Sequence, residues 1–137
     1  MSSSTLELLT QPGIIIAVVG STDNPDKSGH AVYRDLKSKG YRLFPVNLKR
    51  ATVDGDRAYP NLQSLPETPN IVNLVVPPEI SLTVAQQCLR LGIENLWLQP
   101  GAESPEVLEY LQDNGFNYMA GACIMLKTRR AKPILAA

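Results

Sequence analysis

The chain has 137 residues, no net formal charge and 44% hydrophobic residues. This composition is typical of a soluble globular chain with room for an ordinary core, and its neutrality argues against a nucleic-acid binder. No apolar stretch is long enough to span a membrane, and residues 1–12 lack the features of a signal peptide. Two cysteines and one histidine favour neither a disulfide framework nor a metal site. We therefore expect one cytoplasmic domain at 1–137, with its core at about 10–130.

Short apolar runs alternate with amphipathic segments through the first half of the chain. The β-branched run at 14–19 is apolar on both alternations, which predicts a strand covered on both faces. Gly40 fits the left-handed residue that ends a helix. The predicted elements here are a strand at 14–19, a helix at 29–39, a strand at 41–46, an irregular stretch at 47–69 with a helical turn at 61–65, and a strand at 71–76.

The same alternation continues in the second half of the chain. Apolar residues recur at helical spacing from Ile80 to Leu91, and Gly92 follows them as a helix stop. Ser104 precedes a proline and an acidic residue, which predicts a capped helix start. The predicted elements here are a helix at 79–91, a strand at 94–99, a helix at 104–114, a strand at 116–119, and a terminal element of open type at 122–130.

This order of elements predicts an α/β fold. Strands separated by helices pair in parallel through right-handed crossovers, so we expect a doubly wound, mostly parallel five-stranded sheet in a three-layer α/β/α arrangement. In such Rossmann-like sheets a ligand binds at the carboxyl ends of the strands, near the point where the strand order reverses. The segments expected there begin at Gly20, Asn47, Pro77 and Gln99.

The first predicted strand runs into a glycine-bearing loop, GSTDNPDKSGH at 20–30. Backbone amides of such a turn and of an uncapped helix start bind phosphate without a catalytic side chain. We expect a side chain added at Gly20 to fill ligand space more than core space. The loop lacks the G-x-G-x-x-G pattern of dinucleotide sites. It therefore predicts a nucleotide-type ligand without saying which one.

The end of the second predicted strand narrows the choice of nucleotide. An NAD site places an acidic residue there to accept a hydrogen bond from the ribose. This chain has Asn47, Lys49 and Arg50, and its next acid is Asp54. Cations at this position suit a ligand with an extra phosphate on its ribose, which indicates NADP or coenzyme A.

Several segments together resemble a known family. They are IAVVGSTDNPDKSG at 16–29, GYRLFPVN at 40–47, AYPNL at 58–62, VVPPE at 75–79, LWLQPGAE at 96–103 and CIM at 123–125. In this order and spacing they are similar to the small CoA-binding proteins, which are Rossmann-like domains related to the CoA-binding domain of the succinyl-CoA synthetase α subunit. The resemblance implies that the ligand is coenzyme A or an acyl-CoA.

The resemblance also implies which residues contact the ligand. The diphosphate would lie against the first loop and the helix start, and the adenosine with its phosphate against the second-strand end. The ends of the third and fourth strands would form the cleft walls. The implied cofactor-binding residues are, in that order, Gly20, Ser21, Thr22, Lys27, Ser28 and Gly29, then Asn47, Lys49 and Arg50, then Val76, Pro77 and Pro78, and finally Gln99 and Gly101.

The sequence does not assemble a catalytic set or a metal site from its remaining residues. The single histidine, His30, falls at the predicted helix start and is expected to cap or pack. Cys88 lies on an apolar helix stripe and Trp97 inside a strand, so both are expected in the core. Cys123 is expected to pack, with a free thiol near the ligand as the alternative.

Three functions from different classes stay open. The first is a stand-alone module that binds coenzyme A or acyl-CoA, non-catalytic or regulatory, with self-association allowed and no membrane or nucleic-acid partner. The second is an NADP-dependent or acyl-CoA-processing enzyme, or a ligase-related subunit. The third is a protein-interaction domain with a vestigial cleft, against which the anion-binding loop speaks.

Overall fold

A sheet of five parallel strands forms the centre of the protein. The computed structural model describes residues 5–130. Within that range the strands are β1 (Ile15–Val19), β2 (Arg42–Val46), β3 (Thr52–Val53), β4 (Asp56–Arg57), β5 (Ile71–Leu74), β6 (Asn95–Leu98) and β7 (Asn117–Ala120). The sheet order is β2-β1-β5-β6-β7 with every neighbouring pair parallel, which confirms the predicted doubly wound α/β fold. The strand order reverses between β1 and β5.

Helices cover both faces of this sheet. They are α1 (Thr5–Leu8), α2 (Ser28–Ser38), α3 (Pro78–Leu91), α4 (Pro105–Asp113) and α5 (Ile124–Lys127). Val72 and Leu74 of β5 pack in one core cluster with α3 and α4, whereas Ile71 packs on the opposite face with α2 and α5. The arrangement therefore has three layers. Among the described residues, no helix is both long and apolar enough to cross a membrane.

Most predicted element boundaries agree with the structure to within about two residues. Gly92 ends α3 in the left-handed conformation, with a φ of +77°. The Ser104 side chain caps α4 by accepting a hydrogen bond from the Val107 amide at 3.2 Å. Pro45 is tolerated in β2 because β2 is an edge strand. The predicted helical turn at 61–65 is a short 3₁₀ helix, Leu62–Ser64.

Two short elements were not predicted from the sequence. The first is α1, which is four residues long. The second is the antiparallel β3–β4 hairpin, which lies inside the stretch predicted to be irregular. Its turn is Asp54-Gly55, with φ values of +51° and +81°. An Asp-Gly pair is a typical hairpin turn, but strands of two residues carry no periodicity that a pattern could detect.

Polar side chains fasten this hairpin to α2. Tyr33 donates a hydrogen bond to Asp56 at 2.7 Å, and the Lys37 ammonium lies 3.0 Å from the same carboxylate. Lys37 also lies 3.1 Å from the Asp54 carboxylate. Partial burial by itself raises the pKa of Asp56, but the hydrogen bonds from Tyr33 and Lys37 and the charge of Lys37 outweigh it and hold that pKa below its usual value. The hairpin is therefore held to the helix by a shared, ionised carboxylate.

Two glycines allow the backbone to approach closely around the end of β1. A Cβ at Gly20 would overlap the backbone carbonyl of Val75, which follows β5, and a Cβ at Gly29 would overlap the carbonyl oxygen of Gly20. The expectation that a side chain at Gly20 would fill ligand space more than core space is therefore wrong. Such a side chain would instead separate the end of β1 from the chain that leaves β5.

Replacement of Gly20 by alanine tests this packing. Gly20→Ala should lower the free energy of unfolding by about 1–3 kcal/mol more than Gly115→Ala, because the first variant adds a backbone clash to the strain of a positive φ. Gly115 is a matched control, since its φ is +74° and a Cβ there meets open space. Urea denaturation followed by circular dichroism measures both values. Equal losses in the two variants would show that the Gly20–Val75 contact is unimportant.

Candidate functional site

A large cleft opens at the carboxyl ends of the strands, where the strand order reverses. Its volume is about 1070 Å³. It is bordered by the segments that follow β1, β2, β5 and β6, together with the start of α2 and residues of α5. Of the residues implied by the resemblance, those that line the cleft are Gly20, Thr22, Lys27, Ser28, Gly29, Asn47, Lys49, Arg50, Val76, Pro77, Pro78, Gln99 and Gly101.

Ser21 is the implied site residue that the structure places elsewhere. Its side chain is fully buried, and its hydroxyl donates a hydrogen bond to the Val18 carbonyl at 2.9 Å. The Ser21 carbonyl accepts a hydrogen bond from the Asn47 side chain, also at 2.9 Å. Ser21 therefore joins the loop after β1 to the loop after β2. Its hydroxyl is used inside the fold and Ser21 does not line the cleft, so its expected contact with the ligand stays a prediction.

The start of α2 opens onto the cleft without a side-chain cap. Lys27 occupies the cap position in extended conformation and makes no capping hydrogen bond. The next two residues, Ser28 and Gly29, line the cleft. The loop before α2 is stabilised by an internal hydrogen bond, in which the Thr22 hydroxyl accepts from the Asn24 amide at 3.1 Å. A helix start with unpaired amides carries partial positive charge, so this edge of the cleft suits an anion.

The loop after β2 places two cations at the cleft. The Asn47 side-chain oxygen accepts hydrogen bonds from the amides of Lys49 at 2.8 Å and of Arg50 at 3.1 Å. Asn47 thus shapes the turn that carries both cations, in addition to lining the cleft. The Arg50 guanidinium lies 3.8 Å from the Asp23 carboxylate, and both side chains are about two-fifths exposed. That contact is weak enough to exchange for a contact with a ligand.

Gln99 and the start of α5 form the far end of the cleft. Gln99 is buried, and its side-chain amide donates to the Cys123 sulfur at 3.3 Å. The side-chain oxygen of Gln99 accepts from the Ile124 amide at 2.8 Å. Cys123 and Met125 both line the cleft. Cys123 therefore packs through its sulfur against Gln99, as expected, and also borders the cleft.

The sequence missed several cleft residues. Three of them adjoin implied residues, so widening each loop by one residue would have found Val75, Pro100 and Ala102. Cys123 and Met125 are different, because the sequence leaves the type of their element open and gives no direction for their side chains. The additional lining residues are Asn24, Ala31, Val32, Val75, Pro100, Ala102, Cys123 and Met125.

The remaining candidate side chains lie outside the cleft. Cys88 is buried in the core as predicted, and burial raises the pKa of its thiol to about 12. Trp97 is also buried, and its indole donates to the Ala122 carbonyl at 2.9 Å. His30 lies in the first turn of α2 and is not among the residues that line the cleft. In the part of the chain that the structure describes, no group of three potential ligands could hold a metal ion.

Comparison with known proteins agrees with this geometry. A family model described as a CoA binding domain matches residues 15–129. A solved structure of a conserved hypothetical protein from Pyrococcus furiosus superposes with a TM-score of 0.81 at 39% identity, covering 84% of this chain and 99% of that one. An uncharacterized protein of Bacillus subtilis, YneT, is 28% identical over 90% of this chain and 91% of its own length.

A larger relative contains the same unit. The α subunit of an ADP-forming acetate–CoA ligase II from Pyrococcus furiosus is 24% identical over 85% of this chain. The match spans 28% of the ligase subunit's own length. The resemblance expected from the sequence is confirmed by the family model, which covers most of the chain. The chain belongs to the CoA-binding domain family.

Proposed function

We propose that the protein binds coenzyme A or an acyl-CoA reversibly in this cleft, as a cytoplasmic binding module without turnover. The observation that carries the proposal is the placement of Lys49 and Arg50 beside the uncapped start of α2. The helix start would take the diphosphate through backbone amides. The two cations would take the additional phosphate on the ribose, because charge-assisted hydrogen bonds to phosphate are strong and directional.

The first acidic residue after β2 is not available to an unphosphorylated ribose, which favours a ligand whose ribose carries a phosphate. The first acid after β2 is Asp54, and its carboxylate is turned to Lys37 at 3.1 Å and to Arg34 at 3.8 Å. The Asp54 amide donates to the Asp23 carboxylate at 2.7 Å. Asp54 is therefore occupied within the fold and does not line the cleft. An NAD site requires an acid free to accept from the ribose hydroxyl, and this chain offers cations instead.

The extent of the cleft suits a long ligand. Its walls run from the end of β2 across β1 and β5 to the end of β6. Neighbouring strands lie about 4.8 Å apart, so these ends span roughly 14 Å. A nucleotide held at the β1–β2 end would have space for an extended arm toward β6. Coenzyme A has such an arm on the other side of its diphosphate.

A second candidate function rests on the ligase relative. The matched protein is the α subunit of an ADP-forming acetate–CoA ligase, and the match spans 28% of its length. The protein would then supply the CoA-binding step to a reaction completed by another chain. NADP chemistry is the third candidate, since a 2′-phosphate would also suit Lys49 and Arg50, but the family model favours coenzyme A.

The 3′-phosphate of coenzyme A, which dephospho-CoA lacks, gives a direct test of the proposed function. Coenzyme A should bind more tightly than dephospho-CoA by about 1–3 kcal/mol, because only the former offers the 3′-phosphate to Lys49 and Arg50. The double variant Lys49→Ala/Arg50→Ala should lose this preference while still binding both ligands through the start of α2. Isothermal titration calorimetry measures the four dissociation constants.

A matched control separates local contacts from general charge. Lys127→Ala/Arg129→Ala also removes two exposed cations, but from the end of the described chain. This control should keep the preference for coenzyme A. If the unmodified protein bound coenzyme A and dephospho-CoA equally, Lys49 and Arg50 would be ordinary surface residues and the assignment of the 3′-phosphate would be wrong.

The absence of turnover is a separate prediction. Incubation with acetyl-CoA should leave the thioester intact, and incubation with NADPH should leave its absorbance unchanged, because neither hydrolysis nor hydride transfer has a positioned acid–base pair at the cleft. The thioester absorbance and the NADPH absorbance measure the two reactions. Protein-dependent turnover that is lost in His30→Ala or Cys123→Ser would contradict the binding-module role and favour an enzyme.

A further inference from the structure

The wall of the cleft nearest β6 is a helix of only four residues, α5. A helix this short is not stable by itself, because the cost of its first turn is repaid by too few hydrogen bonds. Yet Cys123, at its cap position, and Met125, in its first turn, both line the cleft. The shape of this wall must therefore be fixed by contacts with the rest of the fold.

The start of α5 is fixed from β6. The Gln99 side chain accepts from the Ile124 amide at 2.8 Å and donates to the Cys123 sulfur at 3.3 Å. The residue before Cys123 is also held, since the Trp97 indole donates to the Ala122 carbonyl at 2.9 Å. Ile124 is fully buried in the core on this face. These contacts fix the position of the start of α5 but not the position of its end.

The end of α5 is fixed by a lysine that is distant in sequence. The Lys39 ammonium donates to the Met125 carbonyl at 2.7 Å and to the Thr128 hydroxyl at 2.9 Å. The same ammonium lies 2.7 Å from the Asp35 carboxylate, which turns it toward α5. The Thr128 hydroxyl in turn donates to the Ile124 carbonyl at 2.8 Å. The Lys39 side chain is only 20% exposed, so these contacts are protected from solvent.

The position of α5 relative to the proposed phosphate site shows what it would contact. With the phosphates at the ends of β1 and β2, as the proposed function has it, the rest of coenzyme A extends across β5 toward β6. The cleft surface on the α5 side of β5 is mainly apolar. The lining residues that pack in the same core cluster as α5 are Val32, Val75 and Met125. That surface suits the uncharged pantetheine arm rather than a phosphate.

We propose that Lys39 is a positioning residue for the pantetheine arm of coenzyme A. It holds α5 in place from the end of α2, and α5 presents Met125 and Cys123 as the wall against which the arm packs. Lys39 is not among the residues that line the cleft. The inference rests on the proposed function, because it assigns one end of the same ligand.

A ligand without the pantetheine arm tests the two ends of the site separately. Adenosine 3′,5′-bisphosphate keeps the adenosine and the 3′-phosphate but lacks the pantetheine arm. Lys39→Met should weaken coenzyme A binding by about tenfold, because the charged hydrogen bonds that hold α5 are lost, and should change bisphosphate binding by less than about twofold. Lys39→Arg keeps a charged donor and should recover most of the affinity. Calorimetry with both ligands measures each effect.

Lys127→Met is the control for loss of charge. It removes an exposed cation from α5 itself and should leave both affinities unchanged. Equal weakening of both ligands in Lys39→Met, or no weakening of coenzyme A, would overturn the positioning role. Failure of the unmodified protein to bind coenzyme A would instead overturn the proposed function.

A measurement on the unmodified protein keeps the inference testable if Lys39→Met does not fold. Hydrogen–deuterium exchange of a peptide covering Ile124–Lys127 reports the opening of α5. Saturating coenzyme A should slow this exchange, whereas saturating adenosine 3′,5′-bisphosphate should leave it unchanged. If both ligands slowed the exchange equally, or neither did, α5 would not be the wall for the pantetheine arm.

Discussion

Two close backbone contacts are the constraint on which the rest of the site depends: the start of α2 approaches the end of β1, and the end of β1 approaches the chain that leaves β5. At Gly20 and Gly29 the backbone occupies the space that a Cβ would need. Because the backbones approach so closely, the uncapped first turn of α2 opens at the point where the strand order reverses. A phosphate there would meet backbone amides, whose direction is set by the fold rather than by a mobile side chain.

The distribution of ion pairs explains how a chain with no net charge presents cations to an anionic ligand. Two cations at the end of α2 form ion pairs within the fold: Lys37 with Asp54 and Asp56 of the β3–β4 hairpin, and Lys39 with Asp35. Lys49 and Arg50 line the cleft in a turn fixed by Asn47, and Arg50 has only its long contact with Asp23 at 3.8 Å. The net charge of zero argues against a broad nucleic-acid surface but says little about one local phosphate site.

The sequence predicted the sheet and the four segments that meet at the cleft because both depend on regular patterns, whereas the individual site residues were implied by the family resemblance. Apolar strands and amphipathic helices repeat with clear periods, and the ends of parallel strands meet at one edge whatever the loops contain. The role of Ser21 could not be predicted, since only the fold shows that its hydroxyl reaches the Val18 carbonyl. The wall formed by α5 was missed for a similar reason. Its position depends on Lys39 and Gln99, which lie far from it in sequence.

Native mass spectrometry of the protein purified from cells tests the central claim, that this cleft holds coenzyme A, most directly. We expect a non-covalent complex whose added mass is that of coenzyme A or of an acyl-CoA, present at purification or formed when coenzyme A is added. The Lys49→Ala/Arg50→Ala variant should hold a smaller fraction of coenzyme A under the same spray conditions, because it keeps the start of α2 but loses the contacts with the 3′-phosphate. Retention of NADP instead, or the mass of the protein alone in the presence of excess coenzyme A, would show that the cleft does not hold coenzyme A.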